Sequence, residues 1–476
     1  MIGQTNIFLL LMMLIPFLGT LFALISKENP SKNTNNVLSV GIFTTVINLA
    51  VIYMAFRSIE NVDGDISFVT NISWLETPKI EFVFGADVFS LLLIAAVHCA
   101  ILLGFVGVRS NTYRPKTLVV FSMLFLGTIT NYLLSYDLFS FYIFFEAMLL
   151  PLFMLVGIFG NIRKQDILYR FFIYNLAGAV CLFAALCILF NQHNVIIQSI
   201  GEAEISYKLQ FFVWGAIFIA FLSRIPIWPF HYWISSINTA LDNPLVFIIA
   251  NLMPLTGVYG LIRFFPLTAP NVIKPYLIAL ETISIISMLV VALIGYSNKD
   301  IRYKIFSYST VCYILYLLGT LLPTDTLLTN IGFSLFAWII IVAAIEIILA
   351  HLDKEKQCNN LPECGILCNI KRTSFALSFF ILAAVGMPLS SIFLNNMLIF
   401  AGLLKFNLKM TIFIMLAMVL SSLSLLQYLF YLRYPQAQNL NTQACARDIS
   451  APVFILLLLT MLLLFVSFIN PSWYIG

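Results

Sequence analysis

Apolar residues in this chain gather into blocks of roughly 17–25, the length a helix needs to cross a bilayer. The blocks are 7–25, 37–56, 87–108, 117–135, 138–159, 171–190, 209–229, 244–262, 275–297, 304–322, 326–350, 374–400, 409–432 and 451–470. They predict an all-α polytopic membrane protein of about fourteen transmembrane helices. Two blocks contain breakers, Pro226 and Pro229 in span 7 and Gly386 and Pro388 in span 12. Proline in a membrane helix frees carbonyls that neighbours or water must satisfy, so broken helices collect at ion pathways. The two breaks lie five spans apart. Because five is odd, two units related this way face opposite sides of the bilayer, the plan of inverted-repeat transporters. A pair of kinks with no transport role is the alternative. On the repeat plan the single membrane domain 1–476 divides into helices 1–3 (1–116), a first repeat (117–262), a second repeat (275–432) and a C-terminal helix (451–476).

Loop charge tests this count. With the N-terminus outside, the loops after odd-numbered spans hold seventeen of the 25 Lys and Arg, among them Lys27, Arg109, Lys299, Arg302, Lys304 and Lys371. The opposite loops hold seven, including Arg57, Arg263 and Lys274, and Arg224 lies inside a span. That bias is what the positive-inside rule expects, and it places both termini on the outer side. The first block begins without a positive n-region and no small-residue cleavage site follows it, so it reads as a retained span. The stretch 57–86, with Glu60, Asp63, Asp65, Glu76 and Glu81, reads as a solvated outer loop.

Composition agrees. Hydrophobic residues make up 61% of the 476 and charged residues 10%, against about 45–50% and about 25% in ordinary soluble domains. Mean hydropathy is +0.99. The net charge of +4 is small, and no basic stretch interleaves with aromatics, which argues against nucleic acid as a partner. Cys358, Cys364 and Cys368 share one inner loop but lack an evident fourth ligand, so they make a poor zinc site. No Gly-rich phosphate loop, metal-ligand cluster or nucleophile–base arrangement stands out.

The chemistry therefore falls to ionisable groups inside the apolar blocks, where a charge is costly and marks a functional site by default. Glu146, in YIFFEAMLLP, lies eight residues into span 5, roughly 12 Å deep. It reads as a carboxyl that exchanges a proton, or else as a fixed member of an ion pair between helices. Arg224, in FLSRIPIWPFHYW just before the proline break, is its natural partner, able to bias it but unable to release a proton itself. His231, seven residues on, can titrate, although a histidine near a span end is more often structural. Glu281 and Glu346 sit near span ends, where reaching water is the simpler state, and His98 has no evident local partner.

The stretches YDLFSFYIFFEAMLLPLFMLVGIFG (136–160), RIPIWPFHYW (224–233), FGADVFSLLL (84–93), GVYGLIRF (257–264), YSTV from Tyr308 and Gly386-Met387-Pro388 resemble the antiporter-like membrane subunits of proton-pumping NADH:quinone oxidoreductase, respiratory complex I. Among these, subunit 4, called subunit M in bacteria, is the most similar. The resemblance implies fourteen helices, inverted five-helix repeats and outward termini. It also implies a role in coupling electron transfer to proton translocation, with no redox cofactor in this chain and with other membrane-arm subunits and the lipid bilayer as partners. Of the family's charge chain, Glu146 and His231 are present. The span 7 lysine is replaced by Arg224, a span 8 lysine falls at Leu255, the span 12 carboxylate at Asn396, and a histidine at Tyr313. Two other readings stay open: a subunit of a cation/proton antiporter of the Mrp type, and a degenerate paralogue that does not pump. The expected location is an energy-coupling inner membrane, bacterial or mitochondrial.

Overall fold

The protein is described here from a computed structural model covering residues 6–26, 35–59, 67–75, 80–108, 112–160, 164–190, 206–228, 230–264, 276–320, 326–359, 366–368, 370–388, 390–434 and 447–469. Pro229, Cys364, Cys445 and the acids Glu60, Asp63, Asp65 and Glu76 lie outside those residues, as do Lys27, Arg109, Lys274 and the side chain of Cys358.

Every apolar block is helical. The helices are α1 Ile7–Ile25, α2 Asn35–Arg57, α3 Val88–Gly107, α4 Pro115–Leu134, α5 Leu138–Ala147, α6 Leu149–Phe159 and α7 Lys164–Phe190. They continue as α8 Tyr207–Leu222, α9 Tyr232–Ala240, α10 Pro244–Phe264, α11 Leu277–Ser297, α12 Ile301–Thr320 and α13 Thr326–Asn359. The last are α14 Lys371–Val385, α15 Ser391–Phe406, α16 Leu408–Arg433 and α17 Ala451–Ile469. Among the described residues ten helices are long and apolar enough to cross a membrane, counting α5 and α6 as one, and three shorter apolar helices accompany them.

The core is α10, which is buried along its whole apolar length, while α1, α7 and α16 keep apolar stripes exposed. Leu14, Leu18, Phe183, Val180, Leu416 and Val419 belong to those stripes. Exposed apolar bands on helices of this length are surfaces for acyl chains.

One expectation is corrected outside the helices. Part of the acidic loop folds as a hairpin, β1 Phe68–Leu75 against β2 Ile80–Ala86, antiparallel with Phe68 opposite Ala86. Its aromatics explain why: Trp74 and Phe82 stack at 5.2 Å between centroids. The Val83 amide donates to Asp137 Oδ2 (2.8 Å) and the Tyr136 amide to the Val83 carbonyl (2.8 Å), tying the hairpin to the α4–α5 turn.

Polar contacts between loops respect the sidedness read from charge. Arg263 meets Asp87, both on the outer side by that scheme. On the inner side Arg302 meets Asp353, His351 Nε2 pairs with the Arg447 carbonyl (2.9 Å), and Asp448 accepts from Arg372 and Thr373.

Candidate functional site

Asp137 starts α5 by accepting from the Ser140 amide, and the helix carries Glu146 to its last turn. Pro151, whose missing N–H leaves the Ala147 carbonyl without its helical donor, forces an irregular turn at Met148 between α5 and α6. Glu146 is half-buried directly before this turn, with Tyr142 one turn back as a side-chain neighbour.

Arg224 is completely buried in the irregular segment that follows α8. Its Nη2 donates to the Phe145 carbonyl at 2.7 Å, its Cζ stands 4.0 Å from the Phe145 ring centroid, and Nη1 lies 3.5 Å from Met253 Sδ. Its Nε has no partner. The structure thus brings Arg224 and Glu146 to adjacent residues and within electrostatic reach, but no ion pair within 4 Å forms between them. The direct pairing expected from the sequence is replaced by a guanidinium–carbonyl bond, because the fork of donors settles on the nearest fixed oxygen at the helix irregularity.

At the break several freed backbone groups find new partners. Pro226 cannot donate to the Leu222 carbonyl, and the Ile227 amide turns to the Ile225 carbonyl (2.7 Å) instead of Ser223. The Ser223 carbonyl is taken by Trp233 Nε1 (3.0 Å), and the Trp228 amide by Ser287 Oγ of α11 (2.7 Å). Gly257 and Gly260 of α10 let this segment approach. A Cβ on Gly257 would stand 2.7 Å from the Phe221 carbonyl oxygen and 2.9 Å from Arg224 Cβ. His231 follows the break, half-buried, with Nδ1 unpartnered and its ring edge-on to Tyr232. No hydrogen bond or ion pair joins it to Glu146 or Arg224.

At the positions where the resemblance leads one to expect a relay beyond Arg224, the side chains are uncharged. Leu255 is fully buried. One turn back, Asn251 and Asn238 exchange amide hydrogen bonds (3.0 and 3.3 Å), and Tyr313 donates to the Asn251 carbonyl (3.2 Å). Asn396 is buried with Oδ1 unpartnered.

The second break mirrors the first in its chemistry. Gly386 ends α14 at φ 88°, the left-handed conformation a glycine accepts without strain. Pro388 withholds the donor the Ala384 carbonyl would have had in a continuous helix, and the Tyr308 hydroxyl donates to that carbonyl instead.

Three sequence readings need correction. His98 is not partnerless: Nδ1–H donates to the Ile94 carbonyl (2.8 Å) and Nε2 accepts from Asn48 Nδ2 (2.8 Å), a satisfied structural histidine joining α3 to α2. Glu281 is buried rather than wetted, with Oε2 unpartnered. Glu346 is fully buried and paired with Arg302 at 2.9 Å, because α13 runs nine residues past the predicted end of its span. Two buried groups escaped notice. Lys304 was assigned to a loop, yet it is buried and points Nζ at the Gly295 and Tyr296 carbonyls that end α11 and at Gln427 Oε1 (3.3–3.5 Å). Asp87 and Arg263, 176 residues apart, pair at 2.6 Å, which only the mutual proximity of spans 3 and 8 reveals. Among the described residues no three His, Cys, Asp or Glu side chains group to hold a metal, and Cys368 Sγ turns to the Arg433 carbonyl.

Residues 135–424 match the family model described as NADH:quinone oxidoreductase/Mrp antiporter, TM. NADH-quinone oxidoreductase subunit M of Rickettsia bellii is 25% identical over 87% of this chain and 85% of its own length. NADH-ubiquinone oxidoreductase chain 4 of Marchantia polymorpha is 27% identical over 86% and 83%. The fold superposes on a chain of respiratory complex I from Thermus thermophilus with a TM-score of 0.87, 18% identity, and coverage of 98% of this chain and 96% of that one.

Proposed function

The chain belongs to the NADH:quinone oxidoreductase/Mrp antiporter transmembrane family, and we propose that it works as the subunit M, or chain 4, component of a respiratory complex I membrane arm. It sits in a bacterial or mitochondrial inner membrane as a multi-pass protein, beside the other membrane-arm subunits. NADH oxidation and its redox centres belong to those partners, and this chain couples their electron transfer to proton movement. Fourteen spans with inverted repeats at 117–262 and 275–432 accommodate the helices described. The two breaks, each with a freed carbonyl capped by a distant aromatic donor, favour that plan.

The mechanism rests on Glu146 as the group that changes charge and Arg224 as a cation that does not discharge. The observation that carries it is the buried guanidinium bonded to the Phe145 carbonyl, one residue from a half-buried carboxyl. Protonation of Glu146 alters the field at Arg224 and, through it, at Met253 and Gly257 of the central helix α10. His231, with one ring nitrogen unpartnered, is the proposed exchange point towards water. The uncharged run of Leu255, Asn251, Tyr313 and Asn396 favours a second reading, in which the subunit assembles and transmits coupling without completing its own path.

Native purification tests the assembly: NADH dehydrogenase subunits should accompany the chain, whereas an antiporter assembly would bring only other membrane proteins. In the reconstituted complex Glu146→Gln should lower the protons moved per NADH oxidised. An unchanged stoichiometry removes Glu146 from the path and leaves the second reading.

A further inference from the structure

Glu346 lies inside α13 with its carboxylate fully buried. Arg302, in the first turn of α12, donates through Nε (3.2 Å) and Nη2 (2.9 Å) to one oxygen alone, Oε1. The other oxygen, Oε2, is buried with no partner. The same Nη2 reaches Asp353 Oδ2 at 3.1 Å, on a side chain 35% exposed. Seven residues, two turns on one helix face, separate the two Cα atoms by roughly 10 Å along the helix, while both carboxylates converge on the one Nη2.

We infer that Glu346 is a proton-loading site on the inner side of the membrane, operated through Arg302, which it shares with Asp353. This rests on the reading of the chain as a proton-coupled membrane-arm subunit. An ionised carboxylate in a dry interior needs its lone pairs filled, and here one oxygen carries both bonds while the other carries none. Oε2 is therefore the atom that takes the proton. The proton comes from water at the inner surface and forms an O–H bond at Oε2, leaving Glu346 neutral. Arg302 keeps its own protons throughout. Its Nη2, which already bridges Glu346 and Asp353, loosens from Glu346 and keeps its bond to the still-ionised Asp353, so the cluster gains one unit of positive charge. Release of the proton reverses both changes.

Among the described residues the charged neighbours have contacts of their own. Asp300 caps α12 by accepting from the Arg302 amide (3.0 Å) and adds to the negative field. Lys304, on the same helix, is engaged with the end of α11. On α13, His351 pairs with the Arg447 carbonyl and Glu355 accepts from the Arg447 amide. From α10 the Phe247 ring lies 5.9 Å from the guanidinium, and from α3 Gly107 packs on Ile347. The competing account is a structural ion pair that locks α12 to α13 and never titrates.

Infrared difference spectroscopy on the assembled complex, with proton uptake measured in vesicles, separates the two. The wild type should show the C=O stretch of a buried protonated acid that comes and goes with turnover. Glu346→Gln should abolish that band and lower proton uptake. Asp353→Asn, at a partly exposed position, should weaken the band several-fold, because protonated Glu346 would leave the guanidinium bonded to neither of its two carboxylate partners. A band and an uptake unchanged in both variants overturn the inference. If Glu346→Gln blocks assembly, Asp353→Asn decides by the same two measurements. If no NADH dehydrogenase subunits co-purify, the complex I reading fails, while the infrared band in whatever assembly is isolated still decides this one.

Discussion

Tyr308 offers a quantitative test of how the second break is held. Its ring is fully buried, and its hydroxyl is the donor for the Ala384 carbonyl that Pro388 leaves without a helical partner. Tyr308→Phe keeps the ring and opens no cavity worth a methyl group, so packing changes little. What it removes is the donor that the described residues supply to that carbonyl, a loss of about 1–3 kcal/mol. Pro388→Ala restores an N–H at the position from which a continuous helix would serve Ala384. In that background the carbonyl has a second source of hydrogen bonding, and the effect of Tyr308→Phe should shrink by about 1 kcal/mol or more. The assay is a double-mutant cycle read by tryptophan fluorescence during SDS titration in mixed micelles. Additivity of the two substitutions within about 0.5 kcal/mol would refute the coupling.

Two further expectations concern stability. A Cβ on Gly260 would stand 2.1 Å from Phe221 Cε1, whereas nothing lies within 4 Å of one on Gly215. In the same titration Gly260→Ala should therefore destabilise by about 1–3 kcal/mol, while Gly215→Ala should stabilise by up to about 1 kcal/mol through helix propensity. Asp448 accepts from the Arg372 and Thr373 amides (2.9 Å each), the Thr373 hydroxyl (2.6 Å) and the Ile449 amide (3.0 Å). Burial pushes its carboxyl up, but these bonds, led by the Thr373 hydroxyl, hold it below the usual 3.8. A depressed folded-state value gives stability that is complete above the unfolded value and is lost as pH falls through the folded one. The melting deficit of Asp448→Ala in detergent should hold steady above about pH 5 and fade below about pH 4; a deficit independent of acid would contradict it.

The helices were legible in the sequence because each apolar block is long enough to declare itself alone. The prolines likewise announced where α8 and α14 end. Contacts between blocks were not legible. The sequence alone ends the span of Glu346 at 350 and so reads it as wetted, whereas the turns that bury it belong to a 34-residue helix. Lys304 was counted in a loop for the same reason, since α12 begins at Ile301. The hairpin was missed because its few alternating residues are hidden by neighbouring acids, while its stability comes from Trp74 stacking on Phe82 and from Asp137 far along the chain. The sequence reads Arg224 and Glu146 as partners, but the bond of the guanidinium to the Phe145 carbonyl depends on the backbone at the Met148 turn.

The stretches that carry the family resemblance prove to be mostly joints between helices. In FGADVFSLLL, Asp87 caps α3 with Ser90 and pairs with Arg263. In GVYGLIRF, the glycines admit the broken end of α8, Tyr259 donates to the Leu133 carbonyl (2.6 Å), and Arg263 completes the pair with Asp87. In YSTV, Tyr308 caps the second break. In RIPIWPFHYW, Trp233 caps the first. These devices fix where the helices interrupt and how closely α10 can approach them. Where the resemblance leads one to expect charged or titratable groups, Leu255, Asn396 and Tyr313 make none of those joints, Tyr313 bonding a carbonyl already in a helix, while Arg224, in place of the expected lysine, bonds the Phe145 carbonyl. A scaffold held by joints can therefore lose charged relay residues without losing its fold. Such joints account for how a chain about 25% identical to subunit M of Rickettsia bellii superposes over nearly its whole length on a chain of respiratory complex I.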